Sequence, residues 1–157
     1  MTHRTRWLIP LALALLTLTA CASPGDQSRS ATAKPVMAKE QTLYARLGGK
    51  EAITAVIDDF VARVAADSRI NGFFAGTDIA RLKAQLVNQV CQASGGPCQY
   101  TGGDMKTVHR GMGISNVHFD ALVEDLVATL DKFKVPAKEK NELLAVLGPM
   151  RQDIVER

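Results

Sequence analysis

The imidazole of His109 lies among Met105, Val108 and Met112, at positions i−4, i−1 and i+3. On a helix these share one face, so a short segment turns a soft, apolar surface carrying one nitrogen donor. Such a surround suits an axial ligand of haem iron. It also suits a histidine that is simply satisfied in a core. His118 follows Ser115 and Asn116 and reads as an exposed histidine at a helix start. Asp58, Asp59, Glu124 and Asp125 fall opposite apolar stripes and read as solvated charge. No Ser-His-Asp spacing, phosphate-binding loop or zinc-type cluster appears, and Gly48-Gly49 and Gly102-Gly103 read as turn glycines.

The three cysteines carry different expectations. Cys21 ends a leader in which His3, Arg4 and Arg6 precede an apolar run from Trp7 to Ala20, broken only by Pro10, Thr17 and Thr19. The run is short of the roughly 20 apolar residues a membrane span needs, so residues 1–20 read as a signal peptide rather than an uncleaved anchor. Leu18-Thr19-Ala20-Cys21 resembles the lipobox of bacterial lipoproteins, which implies acylation of Cys21 as the new N-terminus and a membrane-anchored protein facing the periplasm. Ala22, where an aspartate would retain the protein, implies the outer rather than the inner membrane in a Gram-negative cell. Residues 21–41 form a polar tether rich in Ser, Thr, Pro and Gly, too poor in apolar area to offset its ordering entropy. Cys91 and Cys98 flank Gln-Ala-Ser-Gly-Gly-Pro. Export makes them a candidate disulfide, the alternative being two thiols.

The remainder, 42–157, must position these groups. The chain has 157 residues, is 46% hydrophobic and only 5% aromatic, so its core is mostly aliphatic. Without Arg4 and Arg6, 17 basic residues face 16 acidic ones, a net charge of +1. That balance gives no electrostatic footprint for nucleic acid and no polybasic patch for anionic lipid. Leu43 to Leu47 is a short turn stopped by Gly48-Gly49. Ile53, Val56, Ile57, Phe60, Val61 and Val64 predict a helix over Glu51 to Ala66, and Phe73-Phe74 falls in a connector. Thr77 or Asp78 caps a helix with Ile79, Leu82, Leu86 and Val90 on one stripe, ended by Gly95-Gly96-Pro97. A short helix spans Asp104 to Arg110. Ser115 caps a long one with Phe119, Leu122, Val123, Leu126, Leu130 and Phe133 inward. Pro136 opens the last, which carries Leu143, Leu144, Leu147, Met150 and Ile154 and is kinked at Pro149. No stretch alternates with period two, so the domain reads as all-α.

Taken in order, four motifs resemble group I truncated haemoglobins. They are Leu43-Tyr44-x-Arg46-Leu47-Gly48-Gly49, Phe73-Phe74-Ala75-Gly76-Thr77-Asp78, Gly95-Gly96-Pro97-x-x-Tyr100-Thr101-Gly102 and Met105-Lys106-x-Val108-His109-x-Gly111-x-Gly113-Ile114. The resemblance implies a two-over-two helical sandwich around haem b, with His109 as proximal iron ligand. It also implies Phe74 packed on the haem face, Phe60 on the distal side, and Ile114 and Phe119 as proximal contacts beside Met105 and Met112. Ordinary core packing explains each of these apolar residues equally well.

The distal side departs from the family. Many members have a tyrosine where this chain has Val61, and a glutamine where it has Leu86; Leu82 is also apolar. Gln85 is the nearest polar candidate, and Gln89, one turn on, reads as surface. A charge-assisted hydrogen bond to a bound gas is worth about 1.5–3 kcal/mol. Its loss lowers oxygen affinity by roughly 10- to 150-fold, and affinity for the less polar carbon monoxide by less. Three functions follow. The first is a reversible binder of a diatomic gas (oxygen, nitric oxide or carbon monoxide), as carrier, scavenger or sensor input. The second is a haem enzyme such as a nitric oxide dioxygenase or weak peroxidase, needing a reductase the chain does not encode. The third is a haem-free helical lipoprotein with a structural or partner-binding role.

Overall fold

The computed structural model describes residues 40–156. The signal segment, Cys21 and the tether up to residue 39 lie outside the described residues. Those described form seven α-helices and two 3₁₀ turns, with no strand among them. The helices are α1 (Leu43–Arg46), α2 (Gly49–Ala66), α3 (Ile79–Ala93), α4 (Met105–His109), α5 (Asn116–Lys132), α6 (Ala137–Leu147) and α7 (Arg151–Ile154). One 3₁₀ turn, Asn71–Phe74, joins α2 to α3; the other, Gly148–Met150, breaks the last helix at Pro149. None of the described helices is long and apolar enough to cross a membrane.

Helix α2 is the centre of the packing and lies against both α3 and α5. Its buried face is the row Ile53, Ile57, Phe60, Val61 and Val64, spaced by three and four. Removing such side chains from water contributes about 1.5–3 kcal/mol each. Leu126, Leu130, Val87, Val90 and Cys91 meet that row from α5 and α3. The short α1 is fastened at both ends. Thr42 caps it through the Ala45 N–H, and Arg46 pairs with Glu139 at 3.1 Å and with Glu142, both on α6.

Several expected positions differ. Phe133 is 41% exposed, because α5 ends at Lys132 and the chain turns at once through Lys134, whose φ is 55°. Asp125, expected in solvent, is buried, and its Oδ2 has no partner among the described residues. Thr129, one turn further, is fully buried on the same seam with α2. Asp58 and Glu124 do reach solvent and pair with Lys83 and Arg69, whereas Asp59, also expected there, is half-buried: it pairs with Lys132, and its Oδ2 is buried without a partner among the described residues. Leu82 and Leu86 are half-buried and face a cavity, as does the exposed Ile79, and Leu86 also packs against the core.

Candidate functional site

That cavity measures ≈ 410 Å³, within the range of about 300–1,000 Å³ typical of small-molecule and cofactor sites. Five walls enclose it, and each comes from a stripe at helical spacing. From α3 come Leu82, Gln85, Leu86, Gln89 and Val90; from α2 come Ile57, Phe60, Val61 and Val64. Helix α4 supplies Met105, Val108 and His109, followed by Met112, and α5 supplies Phe119, Leu122, Val123 and Leu126. Leu147, Met150 and Ile154 close the fifth side. The lining is overwhelmingly apolar, so the few polar groups in it mark where a ligand is recognised.

His109 is the first of these. Its Nδ1 lies 2.7 Å from the carbonyl oxygen of Met105. A carbonyl only accepts, so Nδ1 carries the proton and donates it. Nε2 then keeps its lone pair, the tautomer a metal-binding imidazole needs, and the carbonyl fixes the ring as an outer partner. Asp104 starts α4 by accepting the Thr107 N–H at 2.9 Å; the Thr107 side chain, and after it this N–H, hold its carboxyl below the ordinary carboxylate range. Among the described residues no three His, Cys, Asp or Glu side chains gather into a metal site. The donor set is therefore one nitrogen in an apolar cleft, the set that fits a metal whose other ligands come from a porphyrin.

Gln85 is the second. Its Nε2 donates to Thr101 Oγ1 at 3.2 Å, while its Oε1 is buried without a partner among the described residues. An orphaned buried carboxamide oxygen costs about 1–3 kcal/mol, which a polar group in the cavity would offset. Thr101 is brought there by a folded-back loop. Cys91 and Cys98 are joined by a disulfide with Cα atoms 5.7 Å apart, and the Tyr100 N–H donates to Gln92 Oε1 at 2.7 Å. Tyr100 lines the cavity and gives its hydroxyl proton to the Gly103 carbonyl at 2.8 Å. Burial pushes its phenol pKa up, so it stays a neutral donor.

Of the residues singled out in the sequence, Phe60, Val61, Phe74, Leu82, Gln85, Leu86, Met105, His109, Met112 and Phe119 line this one cavity. Ile114 is buried but lines a neighbouring cleft of ≈ 80 Å³ instead. Gln89 is not a surface residue. It is half-buried and donates through Nε2 towards the sulfurs of Met150 at 3.3 Å and Met105 at 3.7 Å, so it bridges α3 to the opposite wall. His118 is half-buried rather than exposed. Its ring stands edge-on to Phe73 with centroids 4.8 Å apart, and its Nδ1 accepts the Ser115 N–H at 3.2 Å in a capping box. Thr77, Tyr100 and Met150 also line the cavity without having been anticipated there. For Met150 and its neighbours Leu147 and Ile154 the apolar stripe was visible, but not which space it would face.

Comparison with known proteins agrees with this architecture. The family model described as bacterial-like globin matches residues 42–156. A group 1 truncated hemoglobin of Mycolicibacterium paratuberculosis is 39% identical over 117 residues, covering 74% of this chain and 86% of the relative. One of Tetrahymena pyriformis is 38% identical over 119 residues, covering 76% and 98%. The crystal structure of the Tetrahymena pyriformis protein in its Fe(III) form superposes with a TM-score of 0.72 at 37% identity, over 74% of this chain and all of that one. The 2/2 hemoglobin of Synechococcus does so with a TM-score of 0.70 at 33% identity, over 74% of this chain and 100% of its own. The one histidine of the cavity, its apolar lining and these likenesses converge: the chain belongs to the bacterial-like globin family, as a haem-binding globin of the group 1 truncated type with the two-over-two helical fold.

Proposed function

We propose that this globin binds a diatomic gas reversibly while held at a membrane surface on the exported side. Haem b supplies the iron at which the gas binds. The chain's part is to hold that iron through His109 Nε2, to exclude water with the stripes of α2, α3 and α5, and to offer the carboxamide of Gln85, whose buried oxygen has no partner among the described residues. The observation that carries the reading is the hydrogen bond from His109 Nδ1 to the Met105 carbonyl at the wall of a cofactor-sized apolar cavity. Val61, 6% exposed and lining the cavity where a tyrosine is common in the family, provides no hydrogen bond. The gas is therefore recognised mainly by the iron and the carboxamide, which suits exchangeable binding, with an external reductase keeping the iron ferrous.

Absorption spectra in ferric, ferrous and carbonmonoxy forms test this. His109→Ala loses the five-coordinate ferrous spectrum and His118→Ala retains it. The reverse pattern, or a chain that takes up no haem, overturns the assignment.

Placement on the periplasmic side of the membrane is supported by the leader, by the lipobox-like Leu18-Thr19-Ala20-Cys21, and by a disulfide of a kind that persists in oxidising compartments. Acyl chains on Cys21 would anchor the protein at about 0.8 kcal/mol per buried methylene. Cys21→Ser then releases the protein from the membrane fraction. If the variant stays there with its leader attached, the leader is itself the anchor.

A further inference from the structure

The helix that carries His109 is only five residues long. A helix of that length has no stability of its own in water, so the direction of the imidazole must be set by whatever grips its two ends. The front end is gripped by Asp104, as described. The back end runs into Arg110-Gly111-Met112-Gly113, where Gly111 and Gly113 have φ of 79° and 67°. These left-handed positions suit glycine, and they turn two backbone N–H groups towards one acceptor. That acceptor is Glu156. Its Oε1 takes the Gly111 N–H at 2.5 Å, and its Oε2 takes the Gly113 N–H at 2.7 Å. Its own N–H donates to the Ile114 carbonyl at 2.8 Å.

Glu156 is itself firmly based. It follows α7, which packs against α4. Arg151 of α7 lies over the Phe119 ring at 4.3 Å from its centroid and reaches Asn116 Oδ1 at 2.9 Å and Asp120 Oδ1 at 2.5 Å, all three on α5. A continuous line of contacts thus runs from the long helix α5, through Arg151 and α7, to a two-pronged carboxylate that holds the loop two residues beyond the imidazole.

We propose that Glu156 is a positioning residue for His109: through Gly111 and Gly113 it fixes the end of α4 and so sets how the imidazole meets the iron. The proposal rests on His109 being the iron ligand. Glu156 touches neither the imidazole nor the cavity, and its effect is transmitted by the loop.

The test compares the haem-loaded full-length chain with Glu156→Ala and Glu156→Gln. Two quantities are read: amide hydrogen exchange at Gly111 and Gly113, and the iron–histidine stretching band of the ferrous five-coordinate form. Loss of a bond to an ionised acceptor predicts exchange faster by roughly tenfold or more in Glu156→Ala, with a shifted or broadened stretch. Glutamine offers one acceptor oxygen instead of two and should fall between the two. Faster exchange with an unmoved stretch overturns the proposal, because Glu156 would then hold the loop without setting the ligand. Unchanged exchange overturns it as well, since the brace would not operate in solution. A five-coordinate ferrous wild-type chain that lacks the stretch, or that keeps it in His109→Ala, overturns the His109 reading, and the proposal with it.

Discussion

Gln85 on α3 and Thr101 in the loop beyond it are joined by a hydrogen bond of 3.2 Å, Nε2 donating to Oγ1. Sixteen residues separate them, and the contact exists because the disulfide and the Tyr100–Gln92 bond fold the loop back along the helix. A threonine hydroxyl can donate or accept, so it can hold either end of the carboxamide and leave the other end for the cavity.

This gives the first expectation for gas binding. Gln85→Leu should speed oxygen dissociation by roughly tenfold, the equivalent of about 1.4 kcal/mol. Carbon monoxide rates should change less, because that ligand is less polar when bound. Thr101→Val should move oxygen in the same direction by a smaller factor. Stopped-flow measurements decide it: identical oxygen rates in wild type and Gln85→Leu would show that the carboxamide does not reach the ligand.

The disulfide should act on stability and on the site together. It closes a loop of eight residues, counting both cysteines, for which chain entropy gives roughly 2.5 kcal/mol. The double variant Cys91→Ala, Cys98→Ala should lower the urea midpoint accordingly. Its oxygen dissociation should also shift towards that of Thr101→Val, since the loop carrying Thr101 is freed. Normal gas kinetics in a destabilised variant would confine the bond to stability.

Asp125 should make stability depend on pH. Burial raises its carboxyl pKa, the nearby Asp67 charge adds to this, and Arg63 and Arg69 pull the other way without cancelling it. A carboxyl whose pKa is higher folded than unfolded binds more protons in the native state between the two values. Native stability therefore falls as pH rises from the ordinary aspartate range, about 4, through the raised value. Asp125→Asn should flatten that fall and be more stable than wild type at neutral pH. Denaturation curves at several pH values check this, and parallel profiles for the two proteins would count against it.

How much of this was legible beforehand differs from element to element. The core row of α2 is local: three-and-four spacing of Ile53, Ile57, Phe60 and Val64 can be read without knowing the partner. The same rule misplaces Asp59 and Asp125, because the α2–α5 seam covers more of both helices than their apolar stripes. It misplaces Phe133 because periodicity does not show where the last turn stops. Gln89 is opaque for a different reason: the sulfurs it meets are 16 and 61 residues away. His109 stands out through its neighbours Met105 and Met112, whereas the link from Glu156 to Gly111, across 45 residues, leaves no local pattern at all.

Gly96 carries a consequence for how this sequence can drift. A Cβ built there would lie 2.5 Å from Tyr44 Cδ2, 2.7 Å from Cys91 Sγ and 2.8 Å from the Cys91 carbonyl oxygen. Room, rather than an unusual backbone angle, is what keeps the position glycine. Of the three atoms, the two of Cys91 are held by the disulfide and by helix α3. Shrinking the Tyr44 ring would therefore not by itself admit a side chain at 96, because the Cys91 sulfur and carbonyl oxygen would still stand at 2.7 and 2.8 Å. Position 96 thus stays glycine for as long as the disulfide and the end of α3 keep their places, whatever stands at 44.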